Sequence, residues 1–96
     1  METANRYKEL TNNKSLFYTY QYEQNHPVIM GKIENAIMEA VEKGLYITSL
    51  YLLGLSEYDI KMITKVLNKY DLANDWTIVS KASDSYQHMQ LTIHWY

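Results

Sequence analysis

Residues 88–96 carry the cleanest pattern in the chain. Met89, Leu91, Ile93 and Trp95 alternate with His88, Gln90, Thr92, His94 and Tyr96. A period of two with one apolar and one polar side predicts a strand that meets a core on one face and water on the other. The next clearest segment follows Pro27. Ile29, Ile33, Ala36, Ile37, Ala40 and Val41 recur at the 3.6-residue period of an amphipathic helix. Proline suits a first helical position, and Asn25 or His26 would cap it. Gly44, just past Lys43, fits the left-handed residue that commonly ends a helix. This spacing predicts a helix over 27–43.

The segments around that helix are shorter. Leu45–Leu53 is rich in β-formers and predicts a first strand, with Leu50, Leu52 and Leu53 apolar enough for cover on both faces. Gly54 is expected to turn the chain. Ser56-Glu57-Tyr58-Asp59 resembles a capping box with Asp in the Glu position. The stripe Ile60, Ile63, Val66, Leu67 and Tyr70 behind it predicts a helix over 57–70. Asp71–Asp75 reads as a polar link, Trp76–Lys81 as a second strand and Ala82–Ser85 as a turn.

The first 26 residues are less decided. Ala4, Tyr7 and Leu10 lie three apart among polar residues, a weak helical pattern, and Asn12-Asn13 ends or interrupts it. Leu16, Tyr18, Tyr20 and Tyr22 alternate as a strand would, yet Phe17, Tyr18, Gln21 and Tyr22 also share a helix face. Helix is preferred, because no turn signal precedes Ser15. The fold class is therefore α+β, two-layer, with helices covering one face of a three-stranded sheet that ends in a C-terminal hairpin. The cleanly alternating last strand belongs in its centre, and the strand–helix–strand unit should cross over right-handedly. The domain reading is one unit, 1–96, made of a Tyr-rich segment (1–26, helical or extended) and an α-β-α-β-β core (27–96).

Composition narrows the function classes. Hydrophobic residues make up 47% of the 96 and charged residues 21%, which excludes a disordered or low-complexity chain. Nine basic against eleven acidic residues, a net charge of −2, disfavours nucleic acid as a partner, since phosphate neutralisation supplies most of such affinity. Without cysteine there is no disulfide framework and no thiolate metal site. The N-terminus lacks an apolar signal core, and Leu50–Leu55 is too short for a bilayer. The expectation is a soluble protein of the cytoplasm.

The pattern Ile33-x-x-Ala36-Ile37-x-x-Ala40-x-x-x-Gly44, followed by a strand, a helix and a closing Thr92-Ile93-His94-Trp95, resembles small uncharacterised α+β proteins of tailed bacteriophages. The likeness spans residues 29–96. His94 stands where a small residue is usual, and Asn74-Asp75-Trp76 stands where Gly-Tyr is expected. The resemblance implies a fold and a phage setting, with the host cytoplasm as location. By analogy of size and acidity it suggests a host-directed or anti-defence inhibitor of the anti-CRISPR kind.

Candidate chemistry is sparse. His88 and His94 share a strand face but lie roughly 20 Å apart at ~3.3 Å per residue, too far to share a metal. No serine or threonine pairs with a base, the carboxylate pairs Glu39/Glu42 and Glu57/Asp59 suit helix surfaces and termini, and the three glycines are isolated. No catalytic residue, cofactor or metal is expected, and an enzyme is disfavoured. The ten tyrosines are the unusual feature. They exceed what one small core buries, and exposed Tyr is a common interface anchor. Phe17, Tyr18, Tyr20 and Tyr22 are the candidate partner-binding residues, the partner being another protein or a second copy in a homodimer. Alternatively they pack the N-terminal segment onto the sheet. A nucleic-acid-associated accessory or virion component is the second reading.

Overall fold

Asn13 decides how the chain begins. Its extended backbone (φ −136°, ψ 100°) ends helix α1 (Ala4–Asn12) and starts helix α2 (Lys14–Asn25), and its side chain accepts from the Leu16 N–H at 3.1 Å. Thr3 does the same for α1, accepting from the Arg6 N–H at 3.2 Å. In this computed structural model, which describes residues 1–96, the Tyr-rich segment is thus two helices. Helix α3 (Pro27–Glu42) follows, with Pro27 in its first turn and His26 at its cap position. The His26 side chain does not cap. Its Nδ1 lies 2.8 Å from the Tyr22 carbonyl, which can only accept, so Nδ1 carries the proton.

Strand β1 (Ile47–Leu55), helix α4 (Glu57–Lys69), strand β2 (Ala73–Lys81) and strand β3 (Gln87–His94) complete the fold. Ser56 and Asp59 form the capping box at the start of α4. The sheet order is β1-β3-β2, with β3 antiparallel to both neighbours. The architecture is α+β with the last strand central, and β1 and β2 run parallel on its two sides, joined through α4.

The register explains the two faces. Thr48–Ile93–Asn74, Leu50–Leu91–Trp76 and Leu52–Met89–Ile78 form rows across the sheet. These rows face the helices: Leu91 and Ile93 are fully buried, Met89 nearly so, and they meet Ile33, Ile63, Val66 and Leu67. Trp95 is half-buried against the same cluster. Trp76 reaches α4, its indole N–H donating to Thr64 Oγ1 at 2.9 Å. The opposite rows, Ile47–His94–Ala73, Ser49–Thr92–Asp75 and Tyr51–Gln90–Thr77, bear no helix and are open.

Several sequence expectations shift. Val41 is 49% exposed rather than in the core, because it lies with Met38 along an outer side of α3. β1 is displaced two residues toward the C-terminus, and Leu53 is 71% exposed, so that end is covered on one face only. Gly54 does not turn the chain. It sits inside β1 at φ +67°, at the register break between Leu52 and Leu55, and its N–H donates to His88 Nδ1 at 3.0 Å. Asp71–Asp75 is only partly a link, since β2 already begins at Ala73.

Candidate functional site

The four aromatic residues singled out from the sequence separate in space. Tyr22 turns inward and is 4% exposed. Its hydroxyl donates to Asp59 Oδ1 at 2.9 Å, its ring stacks on His26 at 3.8 Å, and Tyr58 approaches edge-on at 6.1 Å. Asp59 Oδ2 accepts from the Ser56 N–H and hydroxyl at 3.1 and 2.9 Å. Burial alone would raise the Asp59 pKa, but these hydrogen bonds and the nearby His26 outweigh it and hold the carboxyl below its ordinary value. Burial, then the bond to Asp59, pushes the Tyr22 hydroxyl pKa well up. One residue on, Glu23 accepts from Lys69 Nζ and from the Tyr70 hydroxyl, each at 2.6 Å. Burial and that carboxylate raise the Tyr70 pKa to about 12. Tyr22 and Glu23 therefore fasten the C-terminal half of α2 to α4, and Tyr22 is no surface anchor.

The other three stay at the surface. Phe17 and Tyr18 are 38% and 54% exposed and meet edge to face at 5.7 Å. Tyr20 is half-buried, with the Arg6 guanidinium 5.7 Å above its ring. Together with Tyr7, Leu10, Thr11 and Lys14 they line a cleft of about 510 Å³ between α1 and α2. Tyr7, Leu10 and Thr11 are absent from the sequence-derived set. The signal was there: positions 7, 10, 14 and 17 continue one helical stripe across the Asn13 break. Two basic residues sit at the cleft. Arg6, above Tyr20, pairs with Glu9 at 3.4 Å, whereas Lys14 has no carboxylate within ion-pair distance.

The lining of the cleft holds no carboxylate, histidine or cysteine. Elsewhere, no group of three or more His, Asp or Glu side chains gathers in a way that could hold a metal ion. A second cleft of about 480 Å³, between α3 and α4, is lined mainly by Met30, Ile33, Ile37, Val66, Leu67 and Leu72. No helix is long and apolar enough to cross a membrane. Comparison with protein families, curated proteins and solved structures finds no match.

Proposed function

We propose that this protein works by binding another protein, with the α1–α2 cleft as the contact. The observation that carries the reading is a pair of exposed aromatic rings, Phe17 and Tyr18, held on a helix whose far half is pinned by Tyr22 and Glu23. Such an arrangement presents large apolar rings with little loss of freedom on binding, which is what an interface anchor needs. Lys14, which lines the same cleft and has no carboxylate within ion-pair distance, favours a partner with an apolar side chain beside a carboxylate. The phage resemblance of residues 29–96 suggests a specific form, a host-directed inhibitor of a defence protein.

The test is affinity capture with the intact chain and with a Tyr7→Ala/Phe17→Ala/Tyr18→Ala variant. Wild type should retain one partner that the variant loses at unchanged circular dichroism. Equal capture by both would overturn the reading. A salt-sensitive nucleic acid recovered in place of a protein would favour the accessory or virion role.

A further inference from the structure

Strand β1 leaves a row of backbone groups without partners, and the register identifies them. The Trp95 N–H donates to the Tyr46 carbonyl at 3.1 Å, and these two residues lie opposite one another one step beyond the Ile47–His94 pair. Hydrogen-bonding pairs alternate along an antiparallel ladder. Thr48, Leu50 and Leu52 therefore bond to β3, and Ile47, Ser49, Tyr51 and Leu53 turn their N–H and C=O groups to the free edge. Their side chains all lie on the open face, and Ile47, Tyr51 and Leu53 are 44%, 64% and 71% exposed.

The two free edges of the sheet differ. β2 carries Asp75 and Lys81, and its register breaks between Ile78 and Ser80. Charge and irregularity of this kind are how sheets protect an edge. β1 holds no Asp, Glu, Lys, Arg or Pro, and its only break falls after Leu52. Its regular part is open to pairing.

We propose that this edge pairs with β1 of a second copy of the chain, antiparallel about a two-fold axis at Leu50, to give one six-stranded sheet across two molecules. Ser49 then faces the partner subunit's Tyr51, and Ile47 faces the partner subunit's Leu53. Each pair exchanges both backbone hydrogen bonds, because all four residues are of the outward-facing set. A second copy fits better than a foreign strand because this register matches outward residues only to outward residues, and an uncharged edge meets its own image without repulsion. The surface area agrees. The chain exposes 6671 Å², about 900 Å² more than the ~5,800 Å² typical of a monomer of its mass. One partner in a standard interface covers about 800 Å². The proposal does not depend on the α1–α2 cleft and concerns the purified protein alone.

Analytical ultracentrifugation and residue-resolved amide exchange test it. Wild type should sediment at twice 11.4 kDa. Ser49→Pro removes an outward N–H, which a strand edge tolerates, together with the Ser49–Thr92 side-chain bond of 2.8 Å. Tyr51→Lys sets like charges close to the dyad. Both variants should sediment as monomers, and Ile78→Lys on the other edge should remain a dimer. Ser49 and Tyr51 amides should be protected in wild type, and the Tyr51 amide should exchange fast in Ser49→Pro. Thr48, Leu50 and Leu52 amides should stay protected throughout, which reports an intact fold. A wild type monomeric up to its solubility limit overturns the proposal. So does a dimer that exchanges Ser49 and Tyr51 amides fast, one that survives Tyr51→Lys, or one that Ile78→Lys dissociates.

Discussion

Tyr22 shows how one hydroxyl joins two parts of the chain. It bonds a carboxylate 37 residues away that already serves as the N3 group of a capping box. Hydrogen bonds to charged groups contribute about 1.5–3 kcal/mol, so Tyr22→Phe should lower stability by that order in denaturant titration. The pH dependence follows from the two shifts. Asp59 is held below its ordinary 3.8, so its contribution is full above that value and fades as pH falls through the folded value. Tyr22 and Tyr70 are raised above 10.0, so theirs is full below pH 10 and fades as pH rises beyond it. Thermal midpoints should therefore be flat through neutrality and drop toward both extremes. The alkaline drop should shrink in a Tyr22→Phe/Tyr70→Phe double variant, measured by calorimetry between pH 7 and strongly alkaline buffer. A slope unchanged in the variant would show that other groups set it.

At the scale of elements, alternation was the most informative pattern in the sequence. It placed β3 in the centre of the sheet and assigned Met89, Leu91 and Ile93 to the core and His88, Gln90, Thr92 and His94 to the other face. Ile93→Ala should cost about 2–5 kcal/mol, a large share of a small domain's stability, while His94→Ala should shift the thermal midpoint little. Similar losses would mean that the open face is covered in solution. Helical periodicity said less. It identified the stripe on α3 but not where the stripe stops meeting the core, and so it placed Val41 wrongly. Gly54 was legible as a break but not as a bulge, because the group that receives its N–H is His88, 34 residues on. The surface cleft was half legible. Phe17, Tyr18 and Tyr20 stood out as aromatics, but Tyr22 could be told from them only once α4 brought Asp59 beneath it.

The molecule as a whole is a slab, 41 × 38 × 20 Å, with a radius of gyration of 14.5 Å. Chains of this length average about 12.5 Å, so the molecule spreads in two dimensions rather than closing into a sphere. Its charge is spread likewise. With a net −2, and with only Lys14 and the Glu9-paired Arg6 placed at the cleft, no basic groove accompanies the tyrosines. The isolated protein should therefore show no sequence-specific DNA or RNA binding at physiological salt, checked by fluorescence anisotropy with duplex and single-stranded probes. A tight, salt-sensitive signal would sink that expectation and favour a nucleic-acid role.

The strand order also governs when the sheet can exist. β1 and β2 do not pair with one another, so neither has a strand neighbour until β3 is made, 39 residues after β1 is complete. At ~5–20 residues per second of synthesis, β1 waits on the order of seconds with both of its hydrogen-bonding edges unpaired and no charge to keep other nascent chains away. Yield in the cell should then depend on translation speed and chaperone supply more than the stability of the finished fold would suggest.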